Sequence, residues 1–134
     1  MNKVRAVAAV LLLSFMLLLS ACDGGEKKMI VGTWKPSPGS ETEFMGSTSS
    51  SVWTFNEDGT YKEVETMTFM TTSTYIKTGK YELNTKDHIL TLTPDDGWHD
   101  DTFGDQQFFY EYTLTNQYLT ITTGLGIERY QKQS

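Results

Sequence analysis

Few residues of this 134-residue sequence are of a type and spacing that could do chemistry. Cys22 is the only cysteine, so the chain can form no internal disulfide. A lone exposed thiol in an oxidising compartment would be a reactive group. The two histidines stand apart, His88 at a predicted strand start and His99 in an acidic loop. His99 beside Asp100 invites acid–base chemistry. That chemistry needs a base within hydrogen-bond reach of a nucleophile, and nothing in the spacing places one, so His99 reads as surface. Serines are plentiful, but no Gly-x-Ser-x-Gly turn occurs. Asp95, Asp96, Asp100, Asp101 and Asp105 carry the hard oxygen donors that Ca²⁺ takes, yet their spacing is not that of an EF-hand. A solvated loop is the expectation. We therefore assign no catalytic residue, no metal site and no cofactor. Trp98, in the same loop, is either a contact for a protein or glycan or a lid that folds back.

Cys22 takes its meaning from what precedes it. Residues 1–5 carry Lys3 and Arg5, an apolar run follows to Ser20, and small residues stand at Ser20 and Ala21. That order is a secretory signal peptide, and its apolar stretch is shorter than the roughly 20 residues of a spanning helix. Leu19-Ser20-Ala21-Cys22 resembles the lipobox of bacterial lipoproteins. The resemblance implies lipid on the Cys22 sulfur, cleavage after residue 21 and acylation of the new amine. Two or more acyl chains anchor a protein firmly where one does not. Residues 22–29 are polar and glycine-rich and are expected to form a flexible tether. Asp23 resembles the inner-membrane retention signal of enteric-type bacteria, and acids just after the cysteine resemble the surface-export signal of Bacteroidetes-type bacteria. The expected location is the cell envelope, with the outer membrane or cell surface placed ahead of the inner membrane.

Removing residues 1–21 takes away Lys3 and Arg5 and no acid, so the formal charge moves from −6 to −8. That charge argues against nucleic acid and against an anionic membrane surface as partners. The remaining chain is long enough for one domain, residues 30–134, with a modest core. A monomer is expected. Its Thr, Tyr and Phe suit pleated, half-buried strands. Alternating apolar residues predict strands at 30–35, 51–55, 60–65, 74–83, 88–93, 107–114, 118–122 and 127–132. Residues 37–50 are expected to be a loop with one helical turn. Asp58-Gly59 is a hairpin turn signal, and Gly79 marks a bulge or bend. The result is an all-β antiparallel up-and-down meander of about eight strands, which hides its edges best by closing into a barrel.

Gly32-Thr33-Trp34 resembles the Gly-x-Trp signature of lipocalins. The run from Trp53 to Tyr61 resembles the F-x-x-D-G-T-Y hairpin of bacterial lipocalin-like lipoprotein domains. Gly79 to Leu83, Leu90 to Leu92 and Leu119 to Ile121 continue the pattern, so the resemblance spans nearly the whole mature domain. It implies a lipocalin-like barrel in which an arginine of the last strand covers the tryptophan of the first. Arg129, the sole arginine after residue 21, and Trp34 are the pair expected.

A barrel of eight strands is either filled by its own side chains or holds one small ligand. The residues expected inward are Trp34, Trp53, Phe55, Tyr61, Met67, Phe69, Tyr81, Leu83, Leu90, Leu92, Phe108, Tyr110, Tyr112, Leu114, Leu119, Ile121 and Ile127. They either pack the interior or leave a small cleft at one mouth. If a small apolar or amphipathic guest binds, Trp53, Tyr61, Phe69, Tyr81, Tyr110 and Tyr112 are the expected lining. The competing reading is a protein-interaction module, an anchored inhibitor or accessory subunit, with a packed barrel and its contacts in the loops.

Overall fold

The computed structural model describes residues 24–134; the signal sequence and Cys22 lie outside the described residues. Eleven strands follow a helical turn at 24–30. They are β1 (Gly32–Pro36), β2 (Thr42–Phe44), β3 (Ser47–Phe55), β4 (Thr60–Thr68), β5 (Thr72–Asn84), β6 (Ile89–Pro94), β7 (His99–Asp100), β8 (Gly104–Asp105), β9 (Phe108–Leu114), β10 (Tyr118–Thr123) and β11 (Gly126–Lys132). Eight of them close a barrel in the order β1-β11-β10-β9-β6-β5-β4-β3, with β3 returning to β1. Every pairing is antiparallel. The lower half of β3 pairs with β1, and its upper half pairs with β2.

Alternation sets the core. Leu90 and Leu92 on β6 and Leu119 and Ile121 on β10 point inward between less buried neighbours. Strands with this period place one row inside and one outside. Trp53 stacks on Phe55 with centroids 5.9 Å apart, and Phe55 meets Tyr81 edge-on at 5.0 Å. The Asn56–Thr60 turn closes through Asp58, whose carboxylate accepts from the Thr60 amide and hydroxyl. Gly79 is not a bulge, for the β4–β5 register runs unbroken through it and β6 pairs with β5 up to it. It is a close approach: a Cβ there would lie 2.2 Å from the Thr93 carbonyl oxygen.

One end of this barrel is plugged. The segment expected to be a loose tether folds at 24–30 into a helical turn against the barrel. Ile30 is fully buried, the Trp34 Nε1–H donates to its carbonyl at 2.7 Å, and the Tyr112 hydroxyl donates to Glu26 at 2.6 Å. Glycine and lysine composition suggested flexibility; contacts from distant strands supply the order.

The expected Arg129–Trp34 contact is not made. β1 and β11 do pair, but the register sets Trp34 opposite Lys132. The Lys132 ammonium lies 5.2 Å from the Trp34 ring centre and donates to the Met29 carbonyl at 2.6 Å. Arg129 has the opposite parity, points outward and covers Tyr118 at 4.1 Å. Gly32 admits this arrangement with φ 132°, and a Cβ there would lie 2.9 Å from the Lys132 Cε.

Four residues expected inside are exposed. Met67 lies high on β4 and Phe108 at the start of β9, Phe69 is in the β4–β5 turn, and Ile127 has outward parity on β11. Residues 37–50 are also more ordered than expected, since β2 and β3 form a hairpin across Met45-Gly46. Serine and threonine strands leave no hydrophobic alternation to detect.

Candidate functional site

The open end, opposite the helical turn, holds a cavity of about 220 Å³. Strands β3, β4 and β5 bring its chemistry together. Register places Trp53 directly opposite Glu63, and Glu63 directly opposite Lys77. One pleat higher, Ser51 stands opposite Glu65. These side chains share the inward face, since residues directly opposite point the same way. Across the cavity β11 contributes Glu128 and Tyr130, and β9 and β10 contribute Tyr110 and Ile121.

The polar groups are tightly linked. The Ser51 hydroxyl donates to Glu63 at 2.6 Å and the Ser49 hydroxyl to Glu65 at 3.1 Å. The Lys77 ammonium lies 2.9 Å from Glu65 and 3.6 Å from Glu63. Tyr130 donates to Glu128. Glu63 is 8 % exposed, and burial raises its carboxyl above the ordinary glutamate value despite the opposing pull of Ser51 and Lys77. Burial works to lower the Lys77 ammonium, but Glu65 and Glu63 together outweigh it and hold it above its ordinary value. Burial also raises the phenols, Tyr61 to about 12, so they are neutral donors at physiological pH. Trp53 is equally buried, and its Nε1–H has no hydrogen bond of good geometry, although the Tyr130 side chain is near. Buried donors are rarely left so.

The lipocalin-like domain family matches residues 30–121. The chain belongs to that family. Among curated proteins, none matches it. In this lipocalin-like barrel the matched stretch runs from the buried Ile30 to the inward Ile121, so it covers most of the wall and most of the mouth.

The lipocalin-like mouth uses two of the six lining residues expected from sequence, Trp53 and Tyr110. Tyr61 lies beneath it in the core, its ring 5.9 Å from that of Trp53. Phe69 is out at the hairpin tip. Tyr81 and Tyr112 belong to the opposite end, bonded to the Asn56 carbonyl and to Glu26. Sequence reasoning missed Glu63, Glu65, Lys77, Glu128 and Tyr130. The signal for two of them was present: Tyr61 and Met67 were expected inward, and Glu63 and Glu65 have the same parity. In the acidic loop β7 and β8 form a two-residue ladder, with His99 exposed and its Nδ1 2.7 Å from Asp105. Trp98 is also exposed.

Proposed function

We propose that this chain is an envelope lipoprotein, anchored by lipid on Cys22, whose barrel mouth binds a small amphipathic molecule. The observation that carries the binding is the mouth itself. It is an open-ended cavity with aromatic walls, two carboxylates bridged by Lys77 and a buried indole donor with no hydrogen bond of good geometry. Its 220 Å³ lies below the roughly 300–1,000 Å³ of drug-sized sites, which suits a compact guest and not a long acyl chain. Binding fits better than catalysis. Ser51 and Glu63 do make a hydroxyl–carboxylate contact, but acyl transfer also needs N–H donors aimed at an oxyanion. The backbone around Ser51 is committed to the β3–β4 ladder.

Mass spectrometry of the natively extracted protein tests the binding, with a co-purifying small molecule as the expected result. Preparations repeatedly free of any guest would count against it. Labelling with a radioactive fatty acid tests the anchor: the parent should take up the label and a Cys22→Ala variant should not, and label that persists in the variant would refute lipid attachment at Cys22.

A second reading, docking to an envelope protein, has one observation in its favour. Met45, Phe69, Met70, Trp98, Phe103 and Leu125 are all exposed, and all lie in the loops at the mouth end. Apolar residues gathered at one end mark interaction surfaces more often than chance exposure does.

A further inference from the structure

We infer that the guest of the mouth is a small organic ammonium that also carries an acceptor oxygen; this rests on the proposed binding role and names its ligand class. Three carboxylates, Glu63, Glu65 and Glu128, face the cavity against a single ammonium, that of Lys77. With all four charged, the site is two negative charges in excess. An anionic guest would meet that excess in a partly desolvated space, where like charges repel strongly. A cation would be drawn in, and the aromatic rings of Trp53, Tyr110 and Tyr130 line the same space, where a cation over a ring face gains further.

Lys77 shows how an ammonium is held there. Its side chain is 46 % exposed, reaches in from β5 and bridges Glu63 and Glu65. A half-exposed lysine on a four-carbon stem can swing out to water, so a guest ammonium can take its place between the two carboxylates. A bare metal ion is a poorer fit, because among the described residues no group of three acids or histidines converges to hold one. The acceptor oxygen follows from Trp53. Its side chain lines the cavity, is 8 % exposed and has an Nε1–H with no partner of good geometry. A guest oxygen within reach would satisfy it.

Calorimetry on the purified full chain with three probes of matched shape tests this: tyramine, the neutral tyrosol and the anionic phloretate. Tyramine should bind at least about tenfold more tightly than either of the others. Glu65→Gln should weaken tyramine about tenfold, and Glu128→Gln serves if that variant misfolds. Lys77→Met should tighten tyramine about threefold or more in mildly alkaline buffer, because it removes the internal competitor; a purely structural lysine would not do this. Tyrosol or phloretate binding as tightly as tyramine would overturn the ammonium assignment and leave the mouth a binding site. Weaker tyramine binding by Lys77→Met would overturn it too, as would silence from all three probes. The broader binding role would then rest on the native extraction.

Discussion

Glu63 shows how one residue can serve a site at the expense of its fold. Burial raises its carboxyl, so the folded protein holds that proton more tightly than the unfolded chain does. The linkage has a definite sign. Between the ordinary glutamate value and the raised one, the folded state binds more protons, so stability falls as pH rises through that window. Glu63→Gln keeps a polar group beside Ser51 and removes the titration. Its thermal midpoint near neutral pH should rise by roughly 2–5 °C, and its stability should vary less with pH on the acid side; calorimetric melts from acid to neutral pH measure both. A lower midpoint would mean that the Lys77 pairing outweighs the burial cost. At the other end the cation on Trp34 can be tested by a pair of changes. Lys132→Met removes the bond to Met29 and the contact with the ring, and should cost about 1–2 kcal/mol in urea unfolding. Arg129→Ala, on the outer surface over Tyr118, should cost about 0.5 kcal/mol or less.

Among the elements, β5 has the most to do. Its thirteen residues carry Lys77 at the mouth, pass the crowded point at Gly79 and end beside the plugged base. At Gly79 the neighbouring β6 backbone comes so close that an added methyl would lie 2.8 Å from the Pro94 α-carbon and from the Tyr61 ring edge. A backbone cannot rotate away as a side chain can. Gly79→Ala should therefore destabilise the fold by about 2–3 kcal/mol, read as a lower urea midpoint at unchanged slope. It should also disturb the mouth, since Lys77 is two residues away on the same inward face. A Gly79→Ala variant as stable as the parent would show that the two strands can part at no cost.

The whole molecule is a barrel with unlike ends. The helical turn that follows the proposed lipid site closes one end, and the cavity opens at the other. If lipid is attached at Cys22, the mouth faces away from the bilayer that holds the anchor. Net charge separates that anchoring from surface adsorption. A soluble protein that begins at residue 23, without Cys22 and the segment before it, has a strongly negative net charge and should not sediment with anionic vesicles, whereas one that adsorbs through its apolar mouth loops would.

The sequence by itself determined the eight strands that build the barrel, the tight Asp58-Gly59 turn, the antiparallel order and the closure, though not the β2 hairpin or the small β7–β8 ladder. These follow from local alternation and from the need to hide sheet edges, both of which are written in short stretches of chain. It also placed Trp53 and Tyr110 inside. It did not show that Lys132 rather than Arg129 meets Trp34, because a shift of one residue in the β1–β11 pairing exchanges the inner and outer faces. Nor did it show the polar mouth. The parity of Glu63 and Glu65 with Tyr61 hinted at an inward position, but only register sets them and Lys77 against Trp53 and one another. Only tertiary structure decided that, because burial of a charge depends on what lies across the barrel, and a linear pattern holds no record of it.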